Sequence, residues 1–213
     1  MKLFTYFRSS AAYRARIGLK LKGIDCEAEA IHLRRKEHEA VAFAALNPQR
    51  LVPALLVGPD VLTQSLAILE YLDETHPSPP LLPEDPLGRA RVRAIAMSIA
   101  CDIHPIDNMR VLNYLKGPLG HDQQTVDRWY AHWIEIGFAA LERTLATDGK
   151  AGRFCHGDRP TLADVCLVPQ VHNARRGNVD LTPYPTIVRI DEACRALPAF
   201  AEAAPDRQPD AEG

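Results

Sequence analysis

Lys2-Leu3-Phe4-Thr5-Tyr6-Phe7-Arg8-Ser9-Ser10-Ala11-Ala12-Tyr13-Arg14 opens the chain, and its reading decides the fold. Residues 2–7 carry the β-branched and aromatic side chains of a strand. Residues from about 10 to 22 read as a helix, with Gly23 placed where a helix stops. Further on, residues 26–33 alternate in part and read as a second strand. Residues 51–57 are a short apolar run, and Gly58-Pro59-Asp60 makes a turn before 61–63. A helix is expected over about 65–75, with Leu66, Leu69 and Leu72 as its apolar stripe. Strand, helix, strand, then a hairpin and a helix imply a small mixed sheet covered by helices.

His76-Pro77-Ser78-Pro79-Pro80-Leu81-Leu82-Pro83-Glu84-Asp85-Pro86 follows, with five prolines in eleven residues. Proline removes donors and fixes the backbone, so this stretch predicts a linker. The domains are therefore set at 1–83 and 88–213. In the second, strand signals fade. Val92, Ile95, Ile99, Ile103 and Ile106 recur at helical spacing, with Pro105 expected to kink that segment. Trp129, Trp133, Leu141 and Leu145 make another stripe. Thr161-Leu162-Ala163-Asp164 has capping-box spacing, and the helix it opens carries Val165, Val168 and Val171. The closing residues, Pro205-Asp206-Arg207-Gln208-Pro209-Asp210-Ala211-Glu212-Gly213, are polar and expected to be loosely ordered.

The 213 residues are 46% hydrophobic and 24% charged, an ordinary balance for a packed protein. No apolar run is long enough for a transmembrane helix. The first residues turn polar too early for a signal peptide and read as a mature cytoplasmic start. A net charge of −2 argues against general nucleic-acid binding. The five cysteines are odd in number and widely spaced, without a C-x-x-C pair. That argues against a disulfide framework, a zinc ribbon and a dithiol redox centre. Arginine far outnumbers lysine, 19 to 6. Most of this excess is compositional bias, but arginine's planar fork suits carboxylates wherever one lies near a site.

Three segments put polar groups at sensitive places. Ser9 and Ser10 stand where a strand gives way to a helix. Exposed helix-start N–H groups there stabilise an anion, a thiolate included, although either serine also serves as a simple cap. In Leu51-Val52-Pro53-Ala54-Leu55, a proline at a strand start fits a cis peptide that leaves the Val52 N–H and C=O available to a bound peptide. Gln64 and Ser65 lie at a second helix start, a receptor for a carboxylate or again a cap. A fourth cluster, Asp102-Ile103-His104-Pro105-Ile106-Asp107-Asn108-Met109-Arg110, places His104 and Asn108 on one helical face if Pro105 only kinks the turn. Two such ligands without a third make a poor metal site, and none is expected.

Strand–Ser–helix, Asn47-Pro48-Gln49, Val52-Pro53 and Gln64-Ser65, in that order, resemble the glutathione site of the glutathione transferases. The zeta class is the nearest match. Its signatures recur as Phe7-Arg8-Ser9-Ser10, Ala45-Leu46-Asn47-Pro48, Gln64-Ser65-Leu66-Ala67-Ile68, Leu81-Leu82-Pro83 and Gly157-Asp158. They continue as Thr161-Leu162-Ala163-Asp164, Leu167-Val168-Pro169-Gln170-Val171 and Val179-Asp180-Leu181-Thr182-Pro183-Tyr184-Pro185. The resemblance covers essentially the whole chain. One departure stands out, because the family's usual cysteine after the serine pair is Ala11 here.

The resemblance implies the glutathione transferase fold: α/β plus all-α, a thioredoxin-like N-terminal domain with a mixed four-stranded sheet, then a helical bundle. It implies a glutathione-dependent cis–trans isomerase of maleylpyruvate or maleylacetoacetate in aromatic catabolism, working as a cytoplasmic homodimer. Ser9, with Ser10, would activate the thiol. Gln64 and Ser65 would bind the γ-glutamyl carboxylate, Val52 the cysteinyl amide, and Gln49 with His38 the glycine end. The partner subunit's Asp102 would reach the γ-glutamyl amine, and His104 and Asn108 would face the glutathione pocket. Arg8, Arg110 and Arg176 would hold substrate carboxylates, with Arg175 a solvated neighbour. Two other readings are a broad transferase that conjugates or dehalogenates electrophiles, and a non-catalytic binding module of the same fold.

Overall fold

A computed structural model describes residues 1–212. It falls into two compact units, Met1–Pro80 together with the segment from Ala196 onward, and Leu81–Arg195. The sequence reading extends the helical part to residue 213, whereas packing groups its last residues with the first unit.

In the first unit β1 (Lys2–Thr5), α1 (Ser10–Leu21), β2 (Glu27–Ala30), α2 (Val41–Leu46), β3 (Ala54–Val57), β4 (Asp60–Thr63) and α3 (Ser65–Thr75) follow in order. The sheet order is β2-β1-β3-β4, with β2 parallel to β1 and the other neighbours antiparallel. This is the expected mixed four-stranded sheet. Alternation sends Leu3 and Leu55 to one face, against Ile68 and Leu72 of α3, while Phe4 and Ala54 pack with Phe43 on the other. β2 is exposed along its length, and Lys2 pairs with its Glu27 and Glu29. Charges of this kind keep an edge strand from pairing with other chains. The strand at 2–7 is shorter than expected, because Tyr6 and Phe7 leave the ladder for a turn. The buried face of α3 is Ile68, Leu69 and Leu72, with Leu66 only half-buried.

α1 and α3 approach so closely that a Cβ on Gly18 would overlap Leu69 Cδ2. At their far ends Lys22 ties them together. Its side chain is fully buried, and Nζ donates to Asp73 Oδ1 at 2.6 Å, the His76 carbonyl at 2.7 Å and the Pro79 carbonyl. An ammonium so desolvated requires this full set of acceptors.

The closing segment is ordered, against expectation. α10 (Pro198–Glu202) and a 3-10 turn at Pro205–Arg207 lead to Asp210 and Glu212, both bonded to the first unit. Gly213 lies outside the described residues.

The second unit contains α4 (Pro86–Met97), a π-helical stretch (Ser98–Ile103), α5 (His104–Ile106), α6 (Met109–Lys116), α7 (Gln123–Thr147), α8 (Leu162–Arg176) and α9 (Pro185–Arg195). The capping box at Thr161 is present. Asp164, fully buried, accepts from the Thr161 N–H and hydroxyl and from the Cys155 N–H, each at 2.8 Å. The apolar face of α7 runs through Val126, Tyr130, Ile134, Phe138, Leu141 and Leu145. Trp129 and Trp133 sit half-buried on its flank.

Around Pro105 the helix does more than kink. Asp107 and Asn108 leave helical geometry, and Asn108, with ψ 147°, caps a new helix. His104 and Asn108 therefore do not share one helical face: Asn108 turns extended and its side chain caps α6 instead of continuing the helix of His104. The Trp129 indole N–H takes the Ile106 carbonyl at 2.9 Å. Asp107 is left buried at the break, both carboxylate oxygens lacking a hydrogen-bond partner among the described residues. Burial pushes its carboxyl up to about 8.

Two outcomes follow from these buried charges. Lys22→Met leaves Asp73 without its compensating ammonium and should lower unfolding free energy by about 3 kcal/mol, read by urea denaturation. For Asp107, folded and unfolded forms are both protonated below pH 4. Between pH 4 and 8 the folded form retains a proton that the unfolded form releases, so stability falls as pH rises through that window and levels off above it. Asp107→Asn should flatten this decline, gaining about 2 kcal/mol over the parent by pH 8, with screening at a helix start taken into account.

Candidate functional site

Ser9 is the N-cap of α1. Its Oγ accepts from the Ala12 N–H at 3.2 Å, and its own N–H donates to the Tyr6 carbonyl at 3.0 Å. A capping hydroxyl spends a lone pair on the helix and keeps its proton for another acceptor. Ser10 is the first helical residue and is buried. The N–H groups of this first turn lie beyond the reach of intrahelical carbonyls, and the helix field there is positive. Arg8 is half-buried, its guanidinium 5.2 Å from the Phe7 ring centroid.

The start of α3 is built differently. Gln64 adopts φ 68°, an unusual conformation for a residue with a Cβ, and presents an exposed side chain. Its amide donates to Gln49 Oε1 at 3.2 Å, so two residues expected in one site are in contact. Asn47 fixes the strand approach by donating to the Leu51 carbonyl at 2.8 Å and accepting from the Gln49 N–H at 3.0 Å. Val52 and Pro53 are joined by a cis peptide, and Val52 lies outside the β1–β3 register. Ser65 is buried and its Oγ accepts from Arg14 at 3.4 Å. His38 lies in a 3-10 turn, with its Nδ1 buried and without a hydrogen-bond partner among the described residues.

Arg14 was not among the expected site residues. It is 1% exposed inside α1, yet it reaches the first residue of α3 and so links the two helix starts of this unit. The signal was present in Tyr13-Arg14-Ala15-Arg16-Ile17, where two arginines interrupt an otherwise apolar helix.

In the second unit Asp102 is exposed on the π-helical stretch and His104 is half-buried in α5. The Asn108 side chain accepts from the Arg110 N–H at 3.0 Å, which places the exposed Arg110 in the first turn of α6. Arg176 ends α8 and donates to Asn173 Oδ1 at 3.4 Å, while the Tyr130 hydroxyl donates to the Asn173 carbonyl at 3.3 Å. Burial pushes the Tyr130 phenol up, opposed by Arg176 and reinforced by Asp107, so these three groups are neighbours. Arg175 is not merely solvated, because it donates to the buried Asp191 carboxylate at 2.6 Å. Among the described residues no cluster of three or more His, Cys, Asp or Glu is arranged to hold a metal. No helix of the described residues is long and apolar enough to cross a membrane.

Comparison with known proteins bears on the whole chain. The sequence profile described as "Glutathione S-transferase, N-terminal domain" matches residues 1–74, and that described as "Glutathione S-transferase, C-terminal domain" matches residues 123–203. The maleylpyruvate isomerase of a Ralstonia species is 54% identical over 99% of both chains. The maleylacetoacetate isomerase of Pseudomonas aeruginosa is 48% identical over 99% of this chain and 98% of its own. Among solved structures, a holo maleylpyruvate isomerase described as a bacterial zeta-class glutathione S-transferase superposes with a TM-score of 0.98 at 54% identity, covering all of both chains. A maleylacetoacetate isomerase from Methylobacterium extorquens AM1, with bound malonate and glutathione, gives 0.97 at 41% identity over the same extent. The chain belongs to the glutathione transferase family, in its zeta class.

Proposed function

We propose that this protein is a glutathione-dependent cis–trans isomerase of maleylpyruvate or maleylacetoacetate, serving aromatic catabolism as a cytoplasmic homodimer. The observation that carries this reading is the pair of helix starts in the first unit, α1 at Ser9 and α3 at Ser65, joined through Arg14. Together they suit a peptide that offers a thiolate and a carboxylate. Two further features support the fit to glutathione: the Nδ1 of His38, without a hydrogen-bond partner among the described residues, and the side chains of Gln49 and Gln64, which meet at the start of α3. Relatives of full length that are named for these two substrates support the reaction and the acidic substrate.

When bound, glutathione supplies the thiolate that adds to the cis double bond and leaves after rotation about the resulting single bond. The chain's own residues provide everything around that step. Ser9, with its oxygen committed to the Ala12 N–H, donates its proton toward the sulfur and holds it as an anion, aided by Ser10 and the α1 start. Gln64 and Ser65 hold the γ-glutamyl carboxylate at the α3 start, and the Val52 N–H and C=O pair with the cysteinyl amide. Gln49 and His38 take the glycine end. The partner subunit's Asp102 binds the γ-glutamyl amine, and His104 and Asn108 are carried over as glutathione residues from the resemblance to the zeta class. Arg8, Arg110 and Arg176 grip substrate carboxylates and stabilise the enolate charge that develops on addition. Ala11 in place of the family cysteine leaves the hydroxyls as the activating groups.

Purified protein should isomerise maleylpyruvate or maleylacetoacetate only with glutathione present, and conjugate a chloro-aromatic electrophile far more slowly. Equal turnover of these acids without glutathione would sink the reading, and a faster conjugation would favour the general transferase. Under the same assay Ser9→Ala should lower kcat by about 100-fold, the scale for losing one preorganised donor. Arg176→Ala should raise the substrate KM about tenfold or more, while calorimetry finds glutathione binding unchanged.

A further inference from the structure

Between β1 and α1 the chain makes a turn at residues 6–9, and every hydrogen bond that shapes it comes from outside the turn or from its own serine. The buried Arg16 guanidinium donates to the Thr5 hydroxyl at 3.0 Å, the Tyr6 carbonyl at 3.3 Å and the Phe7 carbonyl at 3.2 Å. Its Nε donates to the Ala203 carbonyl at 3.0 Å, in the closing segment. The Phe7 N–H donates to Asp210 Oδ2 at 2.9 Å, across 203 residues of sequence. Two residues on, Glu212 accepts from His32 Nε2 at 2.9 Å and from Arg35 at 2.8 Å. The His32 ring stands edge-on to Tyr6, 5.0 Å between centroids. The segment that arrives here is itself fixed upstream, since the Tyr13 hydroxyl donates to the Phe200 carbonyl at 3.2 Å.

We propose that Asp210 is a positioning residue for Ser9. The carboxylate holds the backbone N–H two residues before Ser9 and one before Arg8, and Arg16 holds the carbonyls on either side of that N–H. The Ser9 N–H in turn donates to the Tyr6 carbonyl, which Arg16 also grips, so the position of the Ser9 hydroxyl is transmitted through one peptide unit from the closing segment. An amide held by a carboxylate is a charge-assisted bond, stronger and more directional than one to a neutral acceptor. Loss of it frees the turn to rotate, and a misplacement of about 1 Å at a reacting group is costly for rate while leaving ligand binding largely intact. The inference rests on the reading of Ser9 as the thiol-activating hydroxyl.

The test is Asp210→Ala beside Asp210→Asn, since asparagine retains an acceptor for the Phe7 N–H. Amide hydrogen exchange on the glutathione-free protein should show the Phe7 and Ser9 N–H groups exchanging at least about tenfold faster in Asp210→Ala and near the parent rate in Asp210→Asn. In the isomerase assay Asp210→Ala should lose about tenfold in kcat with the glutathione KM within twofold. The ultraviolet absorbance of bound thiolate should titrate at higher pH in Asp210→Ala. Parent-like exchange in Asp210→Ala overturns the proposal. Faster exchange with unchanged kcat and thiol titration also overturns it, because Asp210 then only anchors the segment. If the unsubstituted protein shows no glutathione-dependent turnover, the functional reading fails, and exchange at Phe7 and Ser9 alone decides the brace.

Discussion

A guanidinium buried beside a sheet must find an oxygen for nearly every N–H it carries, and Arg16 finds them at the end of β1, in the turn that follows and in the closing segment. Thr5, Tyr6, Phe7 and Ala203 supply the oxygens. Burial lowers its ionisation to about 10, opposed by the Asp210 charge, so it remains a cation throughout the neutral range. Leaving such a charge in apolar surroundings without partners costs several kcal/mol. Arg16 therefore holds the turn by its carbonyls, and the Asp210 carboxylate holds it by the Phe7 N–H between them. The end of β1, the turn before α1 and the closing segment all give oxygens to this one side chain.

Carboxylates also organise the second unit, with a different outcome at each. Asp164 accepts from the Thr161 N–H and hydroxyl, the Cys155 N–H and the Cys194 thiol, and starts α8. Glu142, on α7, accepts from the N–H groups of Thr186 and Ile187 at 2.9 Å and starts α9 the same way. Asp191 is buried against Arg175. Asp107 alone among these has no donor for either oxygen among the described residues, and it sits at the break between α5 and α6. A polar group left so is a departure from the usual satisfaction of buried atoms, and it lies beside Tyr130 and Arg176.

Much of this was legible in the sequence because the signals are local. Strand composition at residues 2–7, the Gly58-Pro59-Asp60 turn, the capping spacing at Thr161 and the helix-start serines act within a few residues of themselves. What stayed hidden acts at long range. Arg14 and Arg16 merge into a general arginine excess: their apolar neighbours signal burial, but the oxygens that receive them lie elsewhere in the chain. Asp210 and Glu212 read as a polar tail because their partners, Phe7 and His32, lie at the opposite end of the chain. Trp129 and Trp133 drew the stripe of α7 to its flank: bulk suggested core, but the interior runs through Tyr130, Ile134 and Phe138. The break after Ile106 was foreseen as a bend only, because the spacing of His104 and Asn108 matches a helical turn whether or not the helix continues.

Gly18 carries a consequence of its own. With no side chain there, Leu69 lies directly on the backbone of α1, and Lys22 locks the far ends of the same two helices. The helices are thus a single rigid body, and the separation of their N-termini is set before any ligand arrives. A peptide that spans those termini meets a receptor whose ordering entropy was already spent during folding, so more of its contact energy survives as affinity.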